Sequence, residues 1–101
     1  MSTRLTKKEN SAIRKLLERH FTAEGVRCYL FGSAVKNELR ASSDIDLLII
    51  SDRDERTRVS LFREELEESN ITRNVDVVWY KDAPESLLEK ATNEGILLWK
   101  N

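Results

Sequence analysis

The sequence predicts an α/β (α+β) domain, a small mixed β-sheet flanked by helices. Three observations carry that expectation. Segments with helical and with strand periodicity alternate along the chain, each bounded by capping residues, glycine or proline. The run Asp44 to Ser51 holds Ile45, Leu47, Leu48, Ile49 and Ile50, the near-continuous apolar character of a strand covered on both faces. With 101 residues, the chain can build one hydrophobic core and no second one. Residues 1–101 are therefore expected to form a single domain.

The first element opens on Thr6-Lys7-Lys8-Glu9, a capping-box pattern, and places Ile13, Leu16, Leu17 and Phe21 at helical spacing. This predicts a helix from about Thr6 to Thr22, closed by Gly25. His20 falls beside the apolar stripe. With no second histidine in the chain to join it as a ligand, it is assigned a structural or surface role. Val26 to Phe31 is a β-rich run ending at Gly32, the first strand. Cys28, the only cysteine, lies inside that run and reads as a buried, inert thiol. The connection from Gly32 to Ser43 is too long for a two-residue hairpin and too poor in apolar residues to extend the core. Function tends to concentrate in such a segment.

The central strand, Asp44 to Ser51, comes next. Asp52 or Asp54 can cap the next helix, whose inner face is Val59, Phe62 and Leu66 and whose end lies near Ser69. Arg73 to Tyr80 is the third strand. Asp82-Ala83-Pro84-Glu85 is a second cap pattern with proline in the first turn. The last helix packs through Leu87, Leu88 and Ala91 and stops at Gly95, leaving Ile96 to Trp99 as a short extended tail. Tyr29, Phe31, Trp79 and Tyr80 are assigned to the core rather than to a site, since aromatics in strands usually pack.

A hydrophobic share of 40% beside 35% charged residues describes a soluble folded domain with a heavily charged surface. No signal-peptide core opens the chain, and no run approaches the roughly 18 to 20 apolar residues of a membrane span. The expected compartment is the cytoplasm, with no membrane association. Seventeen basic and eighteen acidic residues give a net charge of -1, which argues against a nucleic-acid partner held by charge neutralisation. The basic residues are scattered: Arg14, Lys15 and Arg19 early, Arg53, Arg56 and Arg58 in the middle. They read as solvated helix faces.

Chemistry gathers at three aspartates. Asp44 and Asp46 stand two apart at the head of the most apolar strand, so both carboxylates project from one face. Two negative charges in that position repel unless a cation lies between them. Mg²⁺ suits the place, because it takes a few carboxylates together with water and phosphate oxygens. Asp76, in Val75-Asp76-Val77-Val78-Trp79, is again a lone carboxylate in an apolar strand. If that strand lies beside the central one, the three carboxylates form a cluster able to serve two metal ions. Gly32-Ser33, directly after the first strand, offers close backbone approach, amide donors and a hydroxyl, the parts of a phosphate cradle.

From Gly32-Ser33 to Asp44-Ile45-Asp46 there are ten intervening residues, Ala34 to Ser43. In Leu30-Phe31-Gly32-Ser33, Ser42-Ser43-Asp44-Ile45-Asp46-Leu47 and the later Asp76, the chain resembles the minimal nucleotidyltransferases of the DNA polymerase β superfamily. It also ends in a comparable Glu94-Gly95-Ile96-Leu97-Leu98 segment. The resemblance implies the nucleotidyltransferase fold, with Asp44, Asp46 and Asp76 as metal-binding and catalytic residues. Gly32, Ser33, Asp44 and Asp46 would bind the nucleotide. It further implies Mg²⁺-dependent transfer of a nucleoside monophosphate, commonly AMP from ATP. Many members follow Gly-Ser with arginine and carry a second glycine three positions later, where this chain has Ala34 and Asn37, with Lys36 as a nearby cation.

Larger transferases of the superfamily add a domain to hold the acceptor, whereas all 101 residues here are taken up by the transfer core. A macromolecular acceptor is expected for that reason. Resemblance to the antitoxin-like members implies a hydroxyl, in particular a tyrosine, on a helical partner of the HEPN type, as antitoxin to that toxin. The alternative is a catalytically weak nucleotide-binding module that neutralises its partner by forming a complex.

Overall fold

The computed structural model describes residues 5–32 and 44–101. The first helix, α1 (Lys7–His20), starts where its cap predicts. Thr6 Oγ1 accepts the Glu9 N–H at 3.0 Å and Glu9 Oε1 accepts the Thr6 N–H at 2.9 Å, so both halves of the capping box are made. The helix buries Ile13 and Leu17 and ends at Phe21. Gly25 does not close it. That glycine, at φ 90°, lies farther on, in the turn that sends the chain into β1 (Arg27–Phe31).

Strand β2 (Ile45–Ile50), helix α2 (Arg56–Glu68) and strand β3 (Val75–Trp79) form one unit, with β2 and β3 parallel and α2 as the crossover that parallel pairing demands. Neither Asp52 nor Asp54 occupies the N-cap of α2. Glu55 does, without a side-chain cap bond, while Asp54 Oδ1 accepts the Arg56 N–H at 3.1 Å from one residue further out. The expected inner face holds, since Val59, Phe62 and Leu66 are all buried.

A 3-10 turn, Tyr80–Asp82, follows β3 and leads to α3 (Glu85–Glu94). Pro84 is the N-cap of α3 rather than a first-turn residue. Asp82 does not cap either, because its carboxylate takes Arg56 Nη1 at 3.1 Å. The C-terminal apolar segment is a true strand, β4 (Ile96–Lys100), antiparallel to β1 with a register shift between Cys28 and Tyr29. Asn101 fastens the end: its side-chain amide donates to the Phe21 and Ala23 carbonyls at 2.8 and 2.9 Å.

The sheet order is β3-β2-β1-β4, with β1 antiparallel to both neighbours. It is thus the mixed sheet expected, and β2 is an inner strand. One face carries Cys28, Leu30, Ile45, Leu47, Ile49, Val77, Trp79 and Leu98 against Ile13, Leu17 and Phe21 of the α1 segment and Val59, Phe62 and Leu66 of α2. Leu48 points to the other face and is equally buried, so β2 is covered on both sides near its middle. Each such fully buried aliphatic side chain contributes about 1.5–3 kcal/mol. Phe21 and Phe62 meet edge to face at 5.6 Å. His20 is buried in this layer and lies 3.0 Å from Glu65 Oε1, a structural role. Burial also pushes the Cys28 thiol far above its ordinary pKa and keeps it unreactive.

Candidate functional site

The face of β2 opposite the α1 and α2 layer presents Asp46. Ile45 and Leu47 point into the core, so alternation turns Asp46 to the side of Leu48. Across the sheet, Phe31 of β1, Asp46 of β2 and Asp76 of β3 form one row of cross-strand partners. Asp44, two residues before Asp46, stands just outside the strand, whose start is secured by the Ile45 N–H donating to the Asn74 carbonyl at 2.8 Å. Asp46 is half-buried, while Asp44 and Asp76 are exposed.

The electrostatics record this gathering. Burial foremost, then repulsion from Asp76 and from Asp44, holds the Asp46 carboxyl above the ordinary carboxylate range. Three carboxylates whose charges oppose one another make a place that favours a cation. Among the described residues, no group of three or more His, Cys, Asp or Glu side chains is placed so that it could by itself hold a metal ion. Magnesium does not call for one, since water and phosphate oxygens normally complete its shell.

Gly32 ends β1 directly beside this row, at φ 78°. A β-carbon there would come within 2.5 Å of Asp46 Oδ2, so the space beside the carboxylate exists because residue 32 has no side chain. The bare backbone at residue 32 leaves the Asp46 carboxylate open on its β1 side. Ser33, Ala34, Lys36 and Asn37 lie outside the described residues.

Two features of the site are not foreseen from the sequence. A cavity of about 380 Å³ adjoins the aspartates on the β3 side, with Asp44, Glu67, Thr72, Arg73, Asn74 and Asp76 in its wall. Arg73, in that wall, sends Nε to Glu9 Oε2 at 3.1 Å, both side chains being about nine-tenths buried. The capping glutamate of α1 thus also anchors the segment leading into β3. The nearest signal in the sequence is an arginine at the head of an apolar strand, which does not name a partner 64 residues away. The expected core role of the aromatics holds for Trp79, which is buried and meets Tyr80 edge to face at 4.9 Å.

A βαβ unit with an antiparallel strand beside it and carboxylates clustered at one end of the central strand defines a nucleotidyltransferase fold. The family model described as polymerase beta, nucleotidyltransferase matches residues 11–101, and the chain belongs to that family. Solved structures agree on the fold. One described as a minimal nucleotidyltransferase is 27% identical with a TM-score of 0.69, covering 89% of each chain. A toxin–antitoxin structure with AMP-PNP is 24% identical with a TM-score of 0.74, covering 91% of this chain and 73% of the other. A tri-AMPylated HEPN toxin of Shewanella oneidensis in complex with its MNT antitoxin is 24% identical with a TM-score of 0.60, covering 91% and 70%. No curated protein sequence matches. No helix among the described residues is long and apolar enough to cross a membrane.

Proposed function

We propose that this chain, as one minimal nucleotidyltransferase domain spanning residues 1–101, moves AMP from ATP onto a hydroxyl of a partner protein in a Mg²⁺-dependent reaction. The observation that carries the reading is the row Phe31, Asp46 and Asp76, with Gly32 bare beside Asp46 and Asp44 at the strand's head. Asp44, Asp46 and Asp76 would hold the metal, and Gly32 and Ser33 would admit the phosphates. Bound Mg²⁺ would supply neutralisation of the triphosphate and of the departing pyrophosphate.

In the transfer, the acceptor oxygen forms a bond to the α-phosphorus as the bond from that phosphorus to the bridging oxygen breaks. Pyrophosphate leaves with the electron pair, and the hydroxyl proton passes to a carboxylate of the cluster. The AMP-PNP complex and the tri-AMPylated toxin complex among structures of this fold support ATP as the donor and a HEPN-type toxin as the partner. This chain would then serve as the antitoxin, in the cytoplasm, where ATP and a reduced Cys28 are both at home.

The test mixes the purified chain, ATP and Mg²⁺ with a HEPN-type partner and weighs the partner by intact mass spectrometry. Addition of one or more AMP units, absent with Asp44→Asn and with EDTA, is the expected result. A stable complex without any change of mass would leave complex formation alone as the means of neutralisation.

A further inference from the structure

Asp46 and Asp76 stand on strands that are held very differently. β2, which carries Asp46, is hydrogen-bonded to β1 on one side and to β3 on the other, whereas β3 ends the sheet order and has β2 as its single strand neighbour. The Ile45 N–H donates to the Asn74 carbonyl. Backbone groups turn to alternate sides along a strand, so Asn74 and Asp76 present theirs to β2, and Val75 and Val77 present theirs to the outer edge. Local opening concentrates where backbone groups are left to solvent in this way.

Arg63 closes that edge. It leaves the exposed flank of α2, and its Nη2 donates to the Val77 carbonyl at 2.7 Å, at the short end for a charge-assisted bond. Among the described residues it is the one side chain hydrogen-bonded to the backbone of β3. The bond falls on the residue directly after Asp76, on the flank that β2 leaves open. Val59, Phe62 and Leu66 bury the inner face of α2 in the core, so Arg63 reaches out from a fixed base.

We infer that Arg63 is a positioning residue for the proposed AMP transfer: by clamping the outer edge of β3, it holds Asp76 opposite Asp46. The inference rests on that reading of the site. Arg63 acts through the backbone, since none of the ion pairs among the described residues joins it to Asp44, Asp46 or Asp76. A displacement of about 1 Å in a reacting constellation costs up to about a hundredfold. A clamp on the neighbouring peptide is therefore close enough to matter.

The full chain is tested in two ways. Amide hydrogen exchange of β3 is followed without metal or nucleotide, and thermal stabilisation by ATP is followed as Mg²⁺ is titrated. Arg63→Ala should speed exchange at Asp76 and Val78 about tenfold and raise the Mg²⁺ concentration for half-maximal stabilisation about tenfold. Arg63→Lys, which keeps a charged donor, should recover most of both. Ile13→Val in the α1 layer should lower the melting temperature without moving the Mg²⁺ midpoint. In the Asp76→Asn background, Arg63→Ala should move that midpoint by less than about twofold, because the group it positions is already gone. A full further shift in that background would mark general loosening and overturn the inference. Self-association of Arg63→Ala with an unchanged midpoint would make Arg63 a guard of the free edge and overturn it too. A parent chain that responds to Mg²⁺ with ATP, matched by Arg63→Ala, overturns this inference alone. A parent chain with no response overturns the transfer reading, and the inference with it.

Discussion

Gly32 and Asp46 are packed so closely that a β-carbon on the glycine would stand 2.5 Å from the Asp46 Oδ2 atom. The glycine also holds φ at 78°, which L side chains resist at about 1–2 kcal/mol. Gly32→Ala should therefore lower the melting temperature by about 5–10 °C. By pushing the Asp46 carboxylate aside, it should also weaken ATP·Mg²⁺ binding more than about tenfold, or 1.4 kcal/mol. Differential scanning fluorimetry with and without nucleotide reads both effects, and an alanine variant that melts and binds like the parent would refute the close approach.

Asp46 should make the free protein less stable as pH rises. Its carboxyl is held above the ordinary range by burial and by Asp76 and Asp44, so the folded state binds more protons than the unfolded one over the interval from the ordinary value of 3.8 upward. Stability then falls with pH through that interval, the sign opposite to a salt-bridged carboxylate. Asp46→Asn should remove this slope and raise the metal-free melting temperature at neutral pH by about 2 °C. The gain is on the order of 0.5 kcal/mol, kept small by solvent screening of a half-exposed group. The same variant should lose all stabilisation by Mg²⁺ with ATP. A fall in metal-free stability would show that Asp46 serves the fold more than the site.

Arg73 and Glu9 join α1 to the entry of β3 through a pair that is about nine-tenths buried on both sides. Arg73→Ala leaves the Glu9 carboxylate without its partner and should cost about 3 kcal/mol. Glu9→Gln keeps the capping box, because glutamine serves equally at that position, and should cost less, about 1–2 kcal/mol. Urea unfolding of the double variant should show no more loss than Arg73→Ala alone, the mark of a coupled pair. Simple additivity would dissolve the coupling.

Gly95 is constrained by space rather than by backbone angle. It ends α3 in an extended conformation, φ -81° and ψ -177°, and a β-carbon there would run into the carbonyl oxygens of Ala91 and Leu30. Gly95→Ala should cost about 3 kcal/mol by overpacking against fixed backbone. Gly95→Asn should fare no better. Had the glycine closed the helix in a left-handed conformation, asparagine would have been tolerated, so comparing the two melting temperatures separates the explanations.

Much of the local structure is legible because it depends on neighbours in sequence. The Thr6 and Glu9 capping box is a three-residue relationship, and it forms as expected. The inner faces of α1 and α2 follow from periodicity alone. Sequence reasoning misplaces the cap of α2, naming Asp52 or Asp54 where Glu55 stands, because all three are acceptors and only the path out of β2 decides which reaches the helix start. Asp82 misleads for a related reason. Its competing partner, Arg56, is 26 residues away.

For the candidate site, the alternation of Asp44 and Asp46 on an apolar strand, and the insertion of Asp76 in another, can be read directly as carboxylates on strand faces. That Asp46 and Asp76 are partners cannot. It requires β2 and β3 to be adjacent, parallel and in that register, a choice made by the burial of Val59, Phe62 and Leu66 against both strands at once. The sequence alone determined which residues would be strand, helix and polar insertion, because side-chain period and capping chemistry act over a few residues. Only the tertiary structure decided that the C-terminal tail closes the sheet as β4, that Arg73 finds Glu9, and that a cavity opens beside Asp76. Those outcomes depend on contacts between segments far apart in the chain, whose energies appear only once the core has brought them together.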